Sequence, residues 1–157
     1  MHQDHKDLLS AFQSHGVKYL VVGGFAVIYH SQPRFTKDMD LFIQADPANA
    51  RATYAALAQF GVPLQGIRPE DFADRNSFFR FGREPRGFDI LPSIPGVDFE
   101  GAWERRVAIE IDPATGLKAN FISAKDLIAS KLASGRPQDL ADADAIRKAA
   151  EAAASDA

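Results

Sequence analysis

Asp38 and Asp40 stand one residue apart in the segment FTKDMDLFI, residues 35 to 43. Side chains on a strand alternate between faces, so two carboxylates at this spacing point the same way, about 7 Å apart at roughly 3.3 Å of rise per residue. Like charges that close repel and raise one another's pKa unless a cation or a basic group lies between them. If the strand starts early enough, Arg34 and Thr36 share that face, and Phe35, Met39 and Leu41 take the other. The stripe is then either a solvated strand face with an internal ion pair or a place built to hold a cation.

Two further features bear on that choice. Gly23-Gly24 follows the apolar run VKYLVV and precedes FAVIYH. At a strand-to-helix junction, missing side chains let backbone N–H groups and a helix N-terminus approach an anion. Asp89 lies between Phe88 and Ile90 in a second strand-like run. A charge between core-type neighbours is costly unless it is paired or binds a metal, so three such carboxylates point to a metal. Arg80, Arg83 and Arg86 bracket the turn before Asp89 and are candidates for holding an acceptor phosphate or a nucleic-acid backbone. Histidines 2, 5, 15 and 30 show no zinc-ligand spacing, and His2 and His5 sit near an N-terminus expected to be mobile. Trp103 and the phenylalanines read as core.

These residues need elements to position them. Asp4 is the expected cap of a first helix with Leu8, Leu9 and Phe12 on one stripe, ending near Gly16. A strand over 17–22, a short helix over 25–30 and the aspartate strand follow. Asp46 with Pro47 opens an alanine-rich helix that Gly61 closes. Residues 77–82 and 88–94 read as a hairpin around REPRG, and 107–111 with 117–122 as a second around DPATG, with a short helix around 98–105 before it. Ser123 and Asp126 resemble a capping box opening AKDLIASKLAS, Gly135 ends that helix, and a last helix starts near 138. Lys131 falls mid-helix on a partly apolar stripe, where it must snorkel outward or meet an anion. Arg136, Asp139 and Asp142 read as an ion network between the last two helices. The pattern is one α+β domain, a mixed sheet early and helices at the end.

A strand, Gly-Gly where Gly-Ser is more common, a short helix, Asp-x-Asp and a later isolated acidic residue together resemble the nucleotidyltransferase superfamily whose best-known member is DNA polymerase β. RFTKDMD is similar to the Arg-x-Thr-x-Asp-x-Asp pattern of AbiEii-like and related small bacterial nucleotidyltransferases. DLIASKLASGRPQDLADADAIR, residues 126 to 147, is similar to their helical C-terminal motif, and the resemblance spans residues 19 to 147. It implies a polymerase β palm-like fold in which Asp38, Asp40 and Asp89 are catalytic and hold Mg²⁺ or Mn²⁺, with two ions ~3.5 to 4 Å apart at the α-phosphate of an NTP. Gly23 and Gly24 would grip the triphosphate, with Arg34, Thr36, Lys131 and Arg136 as further nucleotide-binding residues. NMP would pass to a hydroxyl of an RNA 3′ end, a protein or a small molecule, with pyrophosphate leaving.

The resemblance also implies a toxin of a toxin–antitoxin pair, with an antitoxin or a second copy of the chain as partner. The competing reading is a catalytically inactive, nucleotidyltransferase-like module that binds a nucleotide or a protein. The bulk composition fits either. At 157 residues the chain is long enough for one real core, and its net charge of −3 argues against wholesale nucleic-acid binding. The absence of cysteine excludes disulfides, thiolate catalysis and cysteine-ligated zinc. No signal peptide and no apolar run of the ~18 residues needed to span a bilayer is visible, so a cytoplasmic location is expected and no membrane partner.

Overall fold

The computed structural model describes residues 1–31, 33–36 and 38–156. Strands β1 (Tyr19–Val22), β2 (Met39–Ile43), β3 (Phe79–Phe81), β4 (Phe88–Leu91), β5 (Val107–Asp112) and β6 (Leu117–Phe121) form one mixed sheet in the order β3-β4-β2-β1-β6-β5. β1 is antiparallel to β2 and parallel to β6, while β2 is parallel to β4. The two expected hairpins, β3/β4 and β5/β6, are both present and antiparallel. Helices α1 (Gln3–Ser14), α2 (Gly23–His30), α3 (Pro47–Phe60), α4 (Phe99–Glu104), α5 (Ala124–Ser134) and α6 (Pro137–Ser155) flank the sheet, giving an α+β architecture consistent with a nucleotidyltransferase fold.

Local chemistry accounts for most of these boundaries. The Asp46 side chain accepts the Asn49 N–H at 2.7 Å at the start of α3, Pro47 takes the first turn, and Gly61 ends the helix in the left-handed region at φ 103°. Ser123 accepts the Asp126 N–H at 3.1 Å at the start of α5, and Gly135 ends it at φ 71°. The strands expected over 17–22, 77–82 and 88–94 are shorter, at Tyr19–Val22, Phe79–Phe81 and Phe88–Leu91, and three further differences bear on the site. α1 opens at Gln3, so Asp4 lies in its first turn, where a carboxylate suits the helix dipole, and not at the cap. α2 begins at Gly23, so the diglycine forms the helix's first turn instead of a loop before it. β2 begins at Met39, which leaves Asp38 at a bend and Arg34 to Thr36 in irregular backbone, off the expected strand face.

Pairing separates the two sheet faces. Tyr19, Val21, Met39, Leu41, Ile43, Phe88 and Ile90 share one face and pack under α1 and α3, with ring contacts Phe12–Tyr19 at 5.6 Å and Phe60–Phe88 at 5.8 Å. The other face carries Val22, Asp40 and Asp89 in neighbouring register positions. The connector between α3 and β3, irregular in the sequence, is pinned by Phe72, which is fully buried in a short 3₁₀ helix (Pro69–Ala73) and meets Phe79 at 4.5 Å. Phe72→Ala is expected to cost about 3–5 kcal/mol, read from the urea midpoint. Not all phenylalanines are core: Phe35 is 82% exposed and Phe78 66%. No helix among the described residues is long and apolar enough to cross a membrane.

Candidate active site

Parallel pairing of β2 with β4 sets Asp40 directly beside Asp89, and antiparallel pairing of β3 sets Arg80 beside Asp89 in turn. Residues in register across a sheet share a face, so a row Arg80–Asp89–Asp40–Val22 crosses it. Asp40 and Asp89 are neighbours across the paired strands, close enough for their carboxyls to act on one another. The Asp40 carboxyl is pushed up to about 7, first by burial, then by the charge and hydrogen bond of Asp89 and the charge of Asp38; Lys131 opposes the rise. Arg80 grips Asp89 with Nε to Oδ1 at 3.0 Å and Nη2 to Oδ2 at 3.2 Å.

The two glycines serve different neighbours. Gly23 has φ +66°, and a Cβ there would overlap Asp40 Oδ2. Only glycine combines that backbone with so close an approach. A Cβ on Gly24 would overlap Thr36 Oγ1 and lie 3.7 Å from Arg34 Nη2. Gly24, Thr36 and Arg34 are therefore gathered off the strand, although not on the strand face that alternation foresees. Gly87 plays the same part for Asp38: a Cβ there would lie 3.1 Å from Asp38 Oδ1, which is buried and has no hydrogen-bond partner among the described residues.

Above Asp40 and Asp89 lies a cleft of about 240 Å³ whose walls include Gly23, Asp40, Asp89, Lys131, Arg136 and Asp139. Lys131 does meet anions, Asp139 at 3.4 Å and Asp142 at 3.2 Å. Arg136 Nε donates to Asp139 Oδ2 at 2.7 Å, which holds the Asp139 carboxyl down at about 2 despite its burial. Arg34 Nη1 donates to Asp142 Oδ1 at 2.7 Å, so Arg34 is braced by α6 and not by Asp40. The expected network of Arg136, Asp139 and Asp142 thus extends to Lys131 and Arg34, tying α5, α6 and the segment before β2 together. Lys131→Met, which leaves two buried carboxylates short of a donor, is expected to lower stability by about 1–3 kcal/mol in urea melts.

The structure does not bring every candidate to the cleft. Asp38, Gly24, Arg34, Thr36 and Arg80 do not line it, and Arg83 and Arg86 sit exposed on the β3–β4 turn, Arg86 Nη1 being 4.0 Å from Asp4 Oδ2. Asp139 and Asp142, read from sequence as ties between helices, also hold the cationic wall. His5 was expected to be mobile but is 1% exposed, its Nε2 donating to Gly87 O at 3.1 Å. Its place follows α1, whose buried stripe carries it inward with Leu8, Leu9 and Phe12.

Among the described residues no three acidic, histidine or cysteine side chains close into a ready-made metal cage. The adjacent carboxyls of Asp40 and Asp89, with the unpartnered Asp38 Oδ1 one residue before β2, nonetheless suit a small divalent cation, because magnesium is commonly held by one or two carboxylates with water and phosphate oxygens completing its shell. The sequence matches the family model described as nucleotidyltransferase of unknown function (DUF6036) over residues 3–147. No curated protein matches the chain.

Proposed function

The chain belongs to this nucleotidyltransferase family, and from that premise we propose that it is a magnesium-dependent enzyme of AbiEii-like type that transfers NMP from an NTP to a hydroxyl acceptor. The observation that carries the reading is the in-register pair Asp40 and Asp89 facing a cleft whose opposite wall presents Lys131 and Arg136. Asp38, Asp40 and Asp89 would hold Mg²⁺ or Mn²⁺, which when bound supplies charge stabilisation to the attacking and leaving oxygens.

The chain's own residues do the rest. Lys131 and Arg136 bind the triphosphate and stabilise the charge that gathers on the departing pyrophosphate. Gly23 and Gly24 admit phosphate oxygens to the first turn of α2, whose free N–H groups favour an anion. Arg34 and Thr36 flank Gly24 and orient the same phosphates. Asp89 Oδ accepts the proton of the acceptor hydroxyl. The acceptor oxygen bonds the α-phosphorus, the bond to the bridging oxygen breaks, and pyrophosphate leaves. Arg80 releases or shares Asp89 as the substrates enter. The toxin role, an antitoxin or homodimer partner and a cytoplasmic location belong to this proposal on family analogy.

A second reading, a nucleotide- or protein-binding module without turnover, is favoured by one observation: the Arg80 guanidinium already neutralises Asp89 on both oxygens. Incubation with Mg²⁺, each α-³²P-labelled NTP and total cell RNA or protein separates the two. The enzyme reading requires a labelled acceptor and released pyrophosphate, both lost in an Asp38→Ala, Asp40→Ala double variant. Nucleotide binding with no labelled product favours the module.

A further inference from the structure

Arg80 stands between two phenylalanines on β3, which is the edge strand of the sheet. Alternation and pairing send Phe79 and Phe81 to the core face, where Phe79 meets Phe72 at 4.5 Å and Phe81 meets Phe88 at 5.4 Å. Arg80 takes the carboxylate face. Its backbone is therefore pinned by two ring contacts, while its side chain is 68% exposed and has room to reorient.

That side chain nevertheless reaches inward. Its Nε and Nη2 donate to the two oxygens of Asp89, which is only 14% exposed and lines the cleft, whereas Arg80 itself does not line it. Arg80 thus holds the carboxylate from outside. A lone surface ion pair contributes little, but a forked grip on a mostly buried partner is the geometry in which such a pair counts. The hydrogen bonds and charge of Asp89 favour the charged guanidinium most, and the charges of Asp38 and Asp40 add to that. Arg80 therefore offsets the same acidic cluster that would attract a divalent ion.

Each Asp89 oxygen keeps a second lone pair, yet an ion bonded there would stand beside a fixed positive charge, and like charges at that range repel. The two arrivals at the site differ in what they offer Arg80. A bare divalent ion brings only repulsion. A metal–nucleotide complex also brings phosphate oxygens, an anion that a guanidinium grips with two parallel N–H groups.

We propose that Arg80 is a positioning residue that closes the Asp89 oxygens to bare divalent ions and yields them when a nucleotide phosphate gives its guanidinium another partner. Metal and nucleotide then enter together, and Asp89 becomes free to take the acceptor's proton only once both are present. Each ligand raises the affinity for the other by the same factor, as coupling between sites requires. The proposal rests on the transferase reading for the part that Asp89 plays in the reaction.

Mn²⁺ binding at pH 8 without nucleotide, followed by electron paramagnetic resonance of the free ion, tests it on the intact chain as wild type, Arg80→Gln, Asp89→Asn and the double variant. Arg80→Gln is expected to bind Mn²⁺ about tenfold more tightly than wild type, the effect of freeing a charge-paired carboxylate. In the Asp89→Asn background the same change should alter affinity by less than about twofold, because the grip is already gone. An α,β-methylene NTP should raise the Mn²⁺ affinity of wild type more than that of Arg80→Gln. A positive charge that acts only at a distance would give the same gain in both backgrounds, and that result overturns the proposal. So does equal affinity of wild type and Arg80→Gln in proteins whose melting curves match. Mn²⁺ binding by none of these proteins, with or without nucleotide, overturns the proposal and the metal-dependent reading together. The expected Mn²⁺ pattern with no labelled acceptor in any transfer assay sustains the role of Arg80 and sinks the transferase reading.

Discussion

Asp40→Asn is expected to abolish transfer and, in the same molecule, to raise the melting temperature above pH 7. The two effects share one cause. The Asp40 carboxyl is pushed up to about 7 by burial and by Asp89, whereas its ordinary value is 3.8. The unfolded chain ionises near the lower value and the folded chain near the higher, so folding takes up a proton between them. Stability contributed by this group therefore falls as pH rises from about 4 to about 7, and the penalty is fully present above that. The difference corresponds to at most about 4 kcal/mol, since each pKa unit is worth about 1.36 kcal/mol. An asparagine has no charge to bury. The gain should therefore appear in melts at pH 8 and vanish at pH 4. If Asp40 holds the metal as proposed, losing its carboxylate removes several kcal/mol of transition-state stabilisation, roughly a thousandfold in rate. Equal melting temperatures for the two proteins at pH 8 would mean that Asp40 is not a destabilised carboxylate.

Gly23→Ala is the second large effect, and it is steric. At φ +66° an L-residue costs about 1–2 kcal/mol, and its Cβ would also overlap Asp40 Oδ2. The carboxylate must move, and a displacement near 1 Å at a reacting centre costs roughly 100-fold in rate. The expectation is a loss of about 100-fold or more in turnover with only a small fall in stability, measured by pyrophosphate release beside a urea melt. Gly24→Ala is a different case: its backbone is unstrained, and the overlap is with Thr36 Oγ1. Thr36→Ala should therefore rescue part of the Gly24→Ala loss but none of the Gly23→Ala loss.

The parts of the site that were legible in the sequence are those set by local pattern. Asp89 between Phe88 and Ile90 announces a charge on a strand otherwise made for the core, and β4 delivers it to the face of Asp40. The diglycine marks the strand-to-helix junction, and the caps at Asp46 and Ser123 mark helix starts. What was not legible depends on contacts between distant segments. Alternation extends β2 back to Arg34, but pairing partners decide where a strand begins, and β1 and β4 engage it only from Met39 onward. Arg34 then turns to Asp142, 108 residues away, and His5 to Gly87, 82 residues away. No period or cap signal encodes such partners. His5 had one local clue, its position one turn before Leu8 and Leu9 on the buried stripe of α1.

The central claim is that the carboxylates beside the diglycine hold divalent cation against a triphosphate that reaches Lys131 and Arg136. Crystals of the protein soaked with Mn²⁺ and an α,β-methylene NTP, measured for anomalous scattering, test it most directly. The account predicts a manganese peak bonded to Asp38 or Asp40 and to phosphate oxygens, with the triphosphate running toward Lys131. A manganese peak elsewhere, or a nucleotide ordered away from this cleft with Asp89 still bound by Arg80, would contradict it.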